Sequence, residues 1–157
     1  AIDYPAWRKA PVAARTRMKR AALHALEHEK AEGTLTILLA GDAKLRSLNR
    51  RFRGKNKTTN VLSFPAANDE PGYLGDIALA YGVVRREARE SDKRFADHLA
   101  HLAVHGVLHL LGHDHEKPRE AARMEDRERE ILAEFGIRDP YADNAAPARR
   151  KAAKRHG

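Results

Sequence analysis

The sequence predicts an α/β (α+β) domain with one small mixed sheet of about four strands packed with helices, and a central buried helix. Three observations point there. Short β-branched or apolar runs (TLTILLA, NVLSF, YLGDIALAY) are interleaved with longer stretches of helical periodicity, the pattern of a layered α/β chain. The later part of the run from Phe95 to Leu111 is apolar on nearly every side, which puts that helix inside the protein. At 157 residues the chain is long enough for one self-sufficient core.

Each element follows from local signals. Residues 11–32 predict a helix, with Met18, Ala22, Leu23, Ala25 and Leu26 at helical spacing and Gly33 as its stop. Residues 34–40 predict a buried strand. Asp42 is the expected N-cap of a second helix, with Leu45, Leu48 and Phe52 on one face and an end near Gly54. Residues 60–64 predict a strand stopped by Pro65, and residues 73–81 a third. A short helix over 82–90 precedes the central one, which runs from Ser91 or Asp92 to Leu111 and stops at Gly112. A last helix over 119–135 turns Met124, Ile131, Leu132 and Phe135 inward. The sequence also allows a very short strand around residues 2–4. Residues 1–141 are expected to form the single domain. Residues 142–157, rich in Ala, Arg and Lys, are expected to be a disordered basic tail.

The net charge of +8 is unevenly spread. Five basic residues after Asn144 leave only +3 for residues 1–143. Residues 43–57 hold seven basic side chains and no acid: Lys44, Arg46, Arg50, Arg51, Arg53, Lys55 and Lys57. Such a patch attracts polyanions, although a solvated helix face has the same composition. There is no cysteine, which removes disulfides and thiolate metal sites and suits a reducing compartment. No apolar run is long enough to cross a bilayer, and the first residues lack the apolar core of a signal peptide, so a cytoplasmic location is expected.

The stretch HGVLHLLGHDH, residues 105–115, carries the chemistry. His105 and His109 are one helical turn apart and share a face, so both can hold one metal ion. Gly112 breaks the helix and lets His115 complete the set. The spacing H-x3-H-x2-G-x2-H is that of the metzincin zinc proteases. Three imidazoles leave zinc an open position, the catalytic rather than the structural arrangement. His113 competes for the third place, but it follows the helix break, where side chains more often face solvent. His98 and His101 are either partners of the ligands or plain buried or surface histidines. Asp114 either orients a ligand or caps the turn. In the proteases the first histidine is followed by a glutamate general base; here it is Gly106, so peptide hydrolysis loses its proton acceptor. An RNA phosphodiester carries its own nucleophile in the 2′-OH and needs less help.

HGVLHLLGHDH resembles the H-G-x-L-H-L-x-G-Y-D-H signature of the YbeY family of bacterial rRNA-processing metalloproteins. LNRRFRGKNKTTNVLSFP resembles that family's L-N-x-x-x-R-G-K-x-x-P-T-N-V-L-S-F-P, and YLGDIAL its L-G-D-I/V strand. The blocks fall in the family's order between about Leu35 and Tyr141. His113 stands where tyrosine is usual and Thr58 where proline is usual. The resemblance implies a zinc-dependent, single-strand-specific endoribonuclease with one Zn2+ per chain held by His105, His109 and His115. It also implies a role in small-subunit ribosomal RNA maturation and ribosome quality control, with single-stranded RNA and the ribosome or its small subunit as partners. Arg53 is the implied catalytic, phosphate-binding arginine. Lys55, Lys57 and Asn60 are expected to contact RNA, although Asn60 and Ser63 suit capping and strand-edge roles equally. Asp76, inside an apolar strand, reads as a buried acid with a partner or as a support for the site. Two rival readings are a non-catalytic ribosome assembly factor with a structural metal and a metallohydrolase of a peptide or small phosphoester.

Overall fold

The computed structural model describes residues 1–67, 71–114 and 116–142. The elements are α1 (Ala6–Lys9), α2 (Val12–His28), β1 (Thr34–Ala40), α3 (Asp42–Arg53), β2 (Val61–Pro65), β3 (Tyr73–Ala80), α4 (Tyr81–Glu90), α5 (Phe95–Leu110) and α6 (Pro118–Glu134). The sheet is mixed, in the order β1-β3-β2, with β3 parallel to β1 and antiparallel to β2. The expected fourth strand is reduced to one parallel bridge, Ile2 to Leu39. The basic tail expected over 142–157 lies, but for Ala142, outside the described residues.

Period-two alternation sorts the sheet into two faces. Ile77, Leu79 and Leu39 join α2, α5 and α6 in the larger core, whereas Ala78, Ala80, Leu62 and Leu38 meet Leu45 of α3 on the other side. α5 is sheathed as its composition predicts: Leu99, Ala100, Ala103, Val104, Val107 and Leu108 are all buried. α2 meets it with Ala14, Met18, Ala21 and Ala25, mostly small side chains that allow close approach. Leu23, expected inward, is 61% exposed, because the face carrying Ala14, Met18, Ala21, Ala25 and Leu26 turns to the core and Leu23 lies off it.

Helix ends explain the remaining boundary differences. α2 stops before Gly33 because Lys30 takes φ 55° and Ala31 N–H reaches back to the Leu26 carbonyl. Asp92 does the same for α4, so residues 91–94 are a turn and α5 starts later than expected. Gly112, at φ 100°, closes α5, with His113 N–H on the Leu108 carbonyl. Asp42 is not the cap of its own helix; Gly41 holds that position. Its carboxylate instead accepts the Val83 N–H at 3.0 Å and an Arg86 N–H at 3.3 Å, capping α4 from across the fold. Glycine at 82 leaves room for this contact, since a Cβ would lie 2.5 Å from that carboxylate and displace it.

Candidate active site

The first two histidines of the motif project from the last two turns of α5, with ring centroids 4.7 Å apart. Together with Arg53, Val61, Leu62 and Ser63 they line a cleft of about 60 Å³ beside β2. β2 is an edge strand, and the C-terminal end of α3 brings Arg53 to it. An Arg53 Nη2–H donates to the Ser63 carbonyl at 2.9 Å, and the Ser63 hydroxyl donates to the Gly106 carbonyl at 3.1 Å. These two bonds tie the arginine, the strand and the histidine helix into one unit. The glycine after the first histidine has a packing reason. A Cβ on Gly106 would lie 2.9 Å from Ile77 Cγ2, so α5 and β3 approach too closely for any side chain there.

The sequence reading missed Glu128. It is 0% exposed on α6, the one buried carboxylate among the described residues. Oε1 accepts from His101 Nε2 at 2.7 Å and from the Tyr141 hydroxyl at 2.5 Å; Oε2 accepts from His105 Nδ1 at 2.7 Å. Burial alone would raise its pKa, but the hydrogen bonds and charges of His101 and His105 outweigh that and hold the carboxyl well below the usual range. An ionised carboxylate only accepts, so His105 must carry its proton on Nδ1 and present the Nε2 lone pair. Burial also lowers the pKa of His101, against the pull of Glu128. Burial and the Glu128 charge push the Tyr141 phenol up. Two imidazoles one turn apart, one of them fixed in tautomer by a carboxylate, form a donor pair suited to a divalent metal.

The other expected site residues are placed as follows. His115 lies outside the described residues, and among the described residues no group of three His, Cys, Asp or Glu side chains comes together to hold a metal. Lys55 and Lys57 are exposed on the loop after α3, and Asn49 Nδ2 holds that loop through the Lys57 carbonyl at 2.9 Å. Asn60 turns to Glu87, donating at 3.0 Å to the oxygen that His98 Nε2 also meets at 2.9 Å. His113 is only partly exposed, and its Nε2 pairs with Glu29 Oε1 at 3.1 Å. Glu29 also holds His28 at 2.8 Å and Arg127 at 3.1 Å, so it ties the turn after α5 to α2 and α6. Asp114 accepts the Glu116 N–H at 3.3 Å and caps the turn. Asp76 is not buried; it is exposed on β3 and accepts the Tyr73 hydroxyl. No carboxylate lines the cleft among the described residues.

The family model described as Endoribonuclease YbeY matches residues 7–136. Proteins of that name are similar over most of the chain. The one from Rhodopseudomonas palustris (strain CGA009) is 54% identical over 127 residues, 77% of this chain and 67% of its own. That from Chelativorans sp. is 55% identical over 116 residues, 71% of each chain. The solution structure of TM1509 from Thermotoga maritima shares the fold at TM-score 0.58 and 22% identity, covering 94% of this chain and 95% of its own. None of the helices in the described residues is long and apolar enough to cross a membrane. With a family model spanning most of its length and relatives at about half identity, the chain belongs to the YbeY family of endoribonucleases.

Proposed function

We propose that the chain is a zinc-dependent endoribonuclease specific for single strands, working in the cytoplasm on small-subunit ribosomal RNA. The observation that carries this is the convergence of His105, His109 and Arg53 on one cleft at the sheet edge. His105 and His109, completed by His115, are the residues that would hold one zinc ion. Bound there, zinc supplies Lewis acidity toward a phosphoryl oxygen.

The chain's own groups do the rest. Glu128 keeps His105 in the tautomer that presents Nε2. Arg53, already oriented by the Ser63 carbonyl, retains donors for a phosphate and stabilises charge as it builds. Lys55, Lys57 and the basic face of α3 draw RNA to the cleft mouth, which makes binding sensitive to salt. Asn60 serves here less as an RNA contact than as a tether between β2 and α4 through Glu87. Among the described residues no carboxylate lines the cleft, which suits a substrate whose 2′-OH is the nucleophile. The small ribosomal subunit is the partner that such a substrate implies.

The test is His109→Ala, assayed for zinc content by elemental analysis and for cleavage of a single-stranded RNA. Both should fall to background. Full zinc content in the variant would overturn the ligand assignment.

A further inference from the structure

Phe52 is used by neither the core nor the cleft. The sequence pattern turns it inward with Leu45 and Leu48, yet it is 58% exposed on the last turn of α3. Asn49, not Phe52, continues the buried face below Leu45. Its ring meets Phe64 of β2 edge-to-face, with centroids 5.5 Å apart and planes at 66°. The Arg51 guanidinium lies 5.3 Å from the Phe52 centroid, and that of Arg53 lies 6.0 Å from the Phe64 centroid. Phe52 and Phe64 are the chain neighbours of Arg53 and Ser63, both of which line the cleft. Phe64 points to the α3 side of β2, opposite to Ser63, and the Arg53 guanidinium, which lines the cleft, is the link that sets the two rings beside it.

We propose that Phe52, braced by Phe64, is a stacking platform for one unpaired nucleobase of the RNA whose phosphate Arg53 holds; this rests on the single-stranded-RNA reading above. An apolar ring alone would suit a protein partner equally. The surroundings decide against that: seven basic side chains and no acid lie between residues 43 and 57, a field that selects a polyanion. Bases in single strands expose their π faces and stack on aromatic side chains, whereas bases in a duplex are already stacked. A platform beside the phosphate clamp thus gives the site a physical reason to prefer single strands. Phe64 supplies the support, since its contact with Phe52 fixes the ring while leaving more than half of the Phe52 surface open.

The experiment compares Phe52→Ala, Phe52→Leu and Phe52→Tyr with the wild-type chain. Binding of a short fluorescein-labelled single-stranded RNA is read by anisotropy across a salt series, with a matched duplex as control. Losing one stacked base should weaken single-strand binding roughly 5- to 100-fold in the alanine and leucine variants. Phe52→Tyr should keep wild-type affinity. The slope of log affinity against log salt should not change, because no phosphate contact is removed. The single-strand over duplex preference should shrink. A leucine variant that binds as tightly as wild type would overturn stacking, and so would an affinity loss accompanied by a lower salt slope. Wild-type protein that binds no single-stranded RNA overturns the functional reading and this proposal together. Wild-type binding indifferent to Phe52→Ala overturns this proposal alone.

Discussion

Glu128 Oε2 lies 2.7 Å from His105 Nδ1, across 23 residues of sequence. That contact fixes which nitrogen of the first motif histidine carries a lone pair. A buried carboxylate on α6 thereby governs the chemistry of α5.

Glu128→Gln should therefore weaken metal binding by about 10- to 100-fold, the usual effect of removing the carboxylate behind a ligand histidine. The amide can donate as well as accept, so His105 is no longer held to one tautomer. A competitive titration against a chromogenic chelator measures this. Glu87→Gln, which removes the anion beside His98 and Asn60, should leave metal affinity unchanged and serves as the control. Equal affinity in the Glu128 variant and wild type would remove Glu128 from the site.

The turn after α5 has its own anchor in Glu29. Burial raises the pKa of this carboxyl, but hydrogen bonds from His28 and His113 and the charge of Arg127 bring it below the ordinary value. Glu29→Ala should loosen the turn that leads to His115 and weaken metal binding about tenfold. Combining it with His113→Phe should cost little more than Glu29→Ala alone, because both remove the Glu29–His113 pair. Additive losses in that double-mutant cycle would show that Glu29 and His113 act separately.

Acid sensitivity should begin high. His101 has a folded pKa below its usual 6.5, so protons bind more tightly to the unfolded chain. Its contribution is complete above pH 6.5 and is lost as pH falls from there toward the folded value. Glu87 adds a second loss at lower pH. Burial raises its pKa, but hydrogen bonds from His98 and Asn60 hold it below 4.5, so its contribution is present above 4.5 and falls as pH drops through the folded value. Urea midpoints of chelator-treated protein between pH 8 and pH 3 should decline in two stages. His101→Asn should abolish the upper one.

Gly106→Ala should destabilise the fold by about 1–3 kcal/mol, the usual range for forcing an extra methyl into a packed contact. The new Cβ would meet Ile77 Cγ2 at 2.9 Å, Cδ1 at 3.1 Å and Cγ1 at 3.2 Å. Ile77→Val removes the Cδ1 contact and should recover part of the loss in the double variant. Urea unfolding of the four proteins checks this.

The helices from α2 onward, the three strands and the His105–His109 pair were legible because each is a local pattern, whereas the four-residue α1 was not. Periodicity marks the helices, alternation or apolar runs mark the strands, and a four-residue spacing puts two rings on one face. Glu128 was harder to find because it sits in EDRERE, where acids and bases alternate as on any solvated helix. Its signal was register. Met124, Glu128, Ile131 and Leu132 are all buried on α6, so a charge occupied a core position of the apolar stripe. Asp42 misled for the opposite reason: it stands where a cap is expected, but its carboxylate serves another helix 41 residues away. Phe52 followed the helical period and is still exposed, because it sits on the last turn of α3, where it meets Phe64 of the edge strand rather than the core.

Arg53 also has a bearing on solubility. β2 is the outer strand on its side of the sheet, five residues long, and a bare strand edge is a template for pairing with another chain. The guanidinium bonded to the Ser63 carbonyl occupies that edge with a charge. The side chain proposed to grip the substrate thus doubles as a guard against edge-to-edge self-association, and alanine at position 53 should leave a protein more prone to aggregate as well as less active.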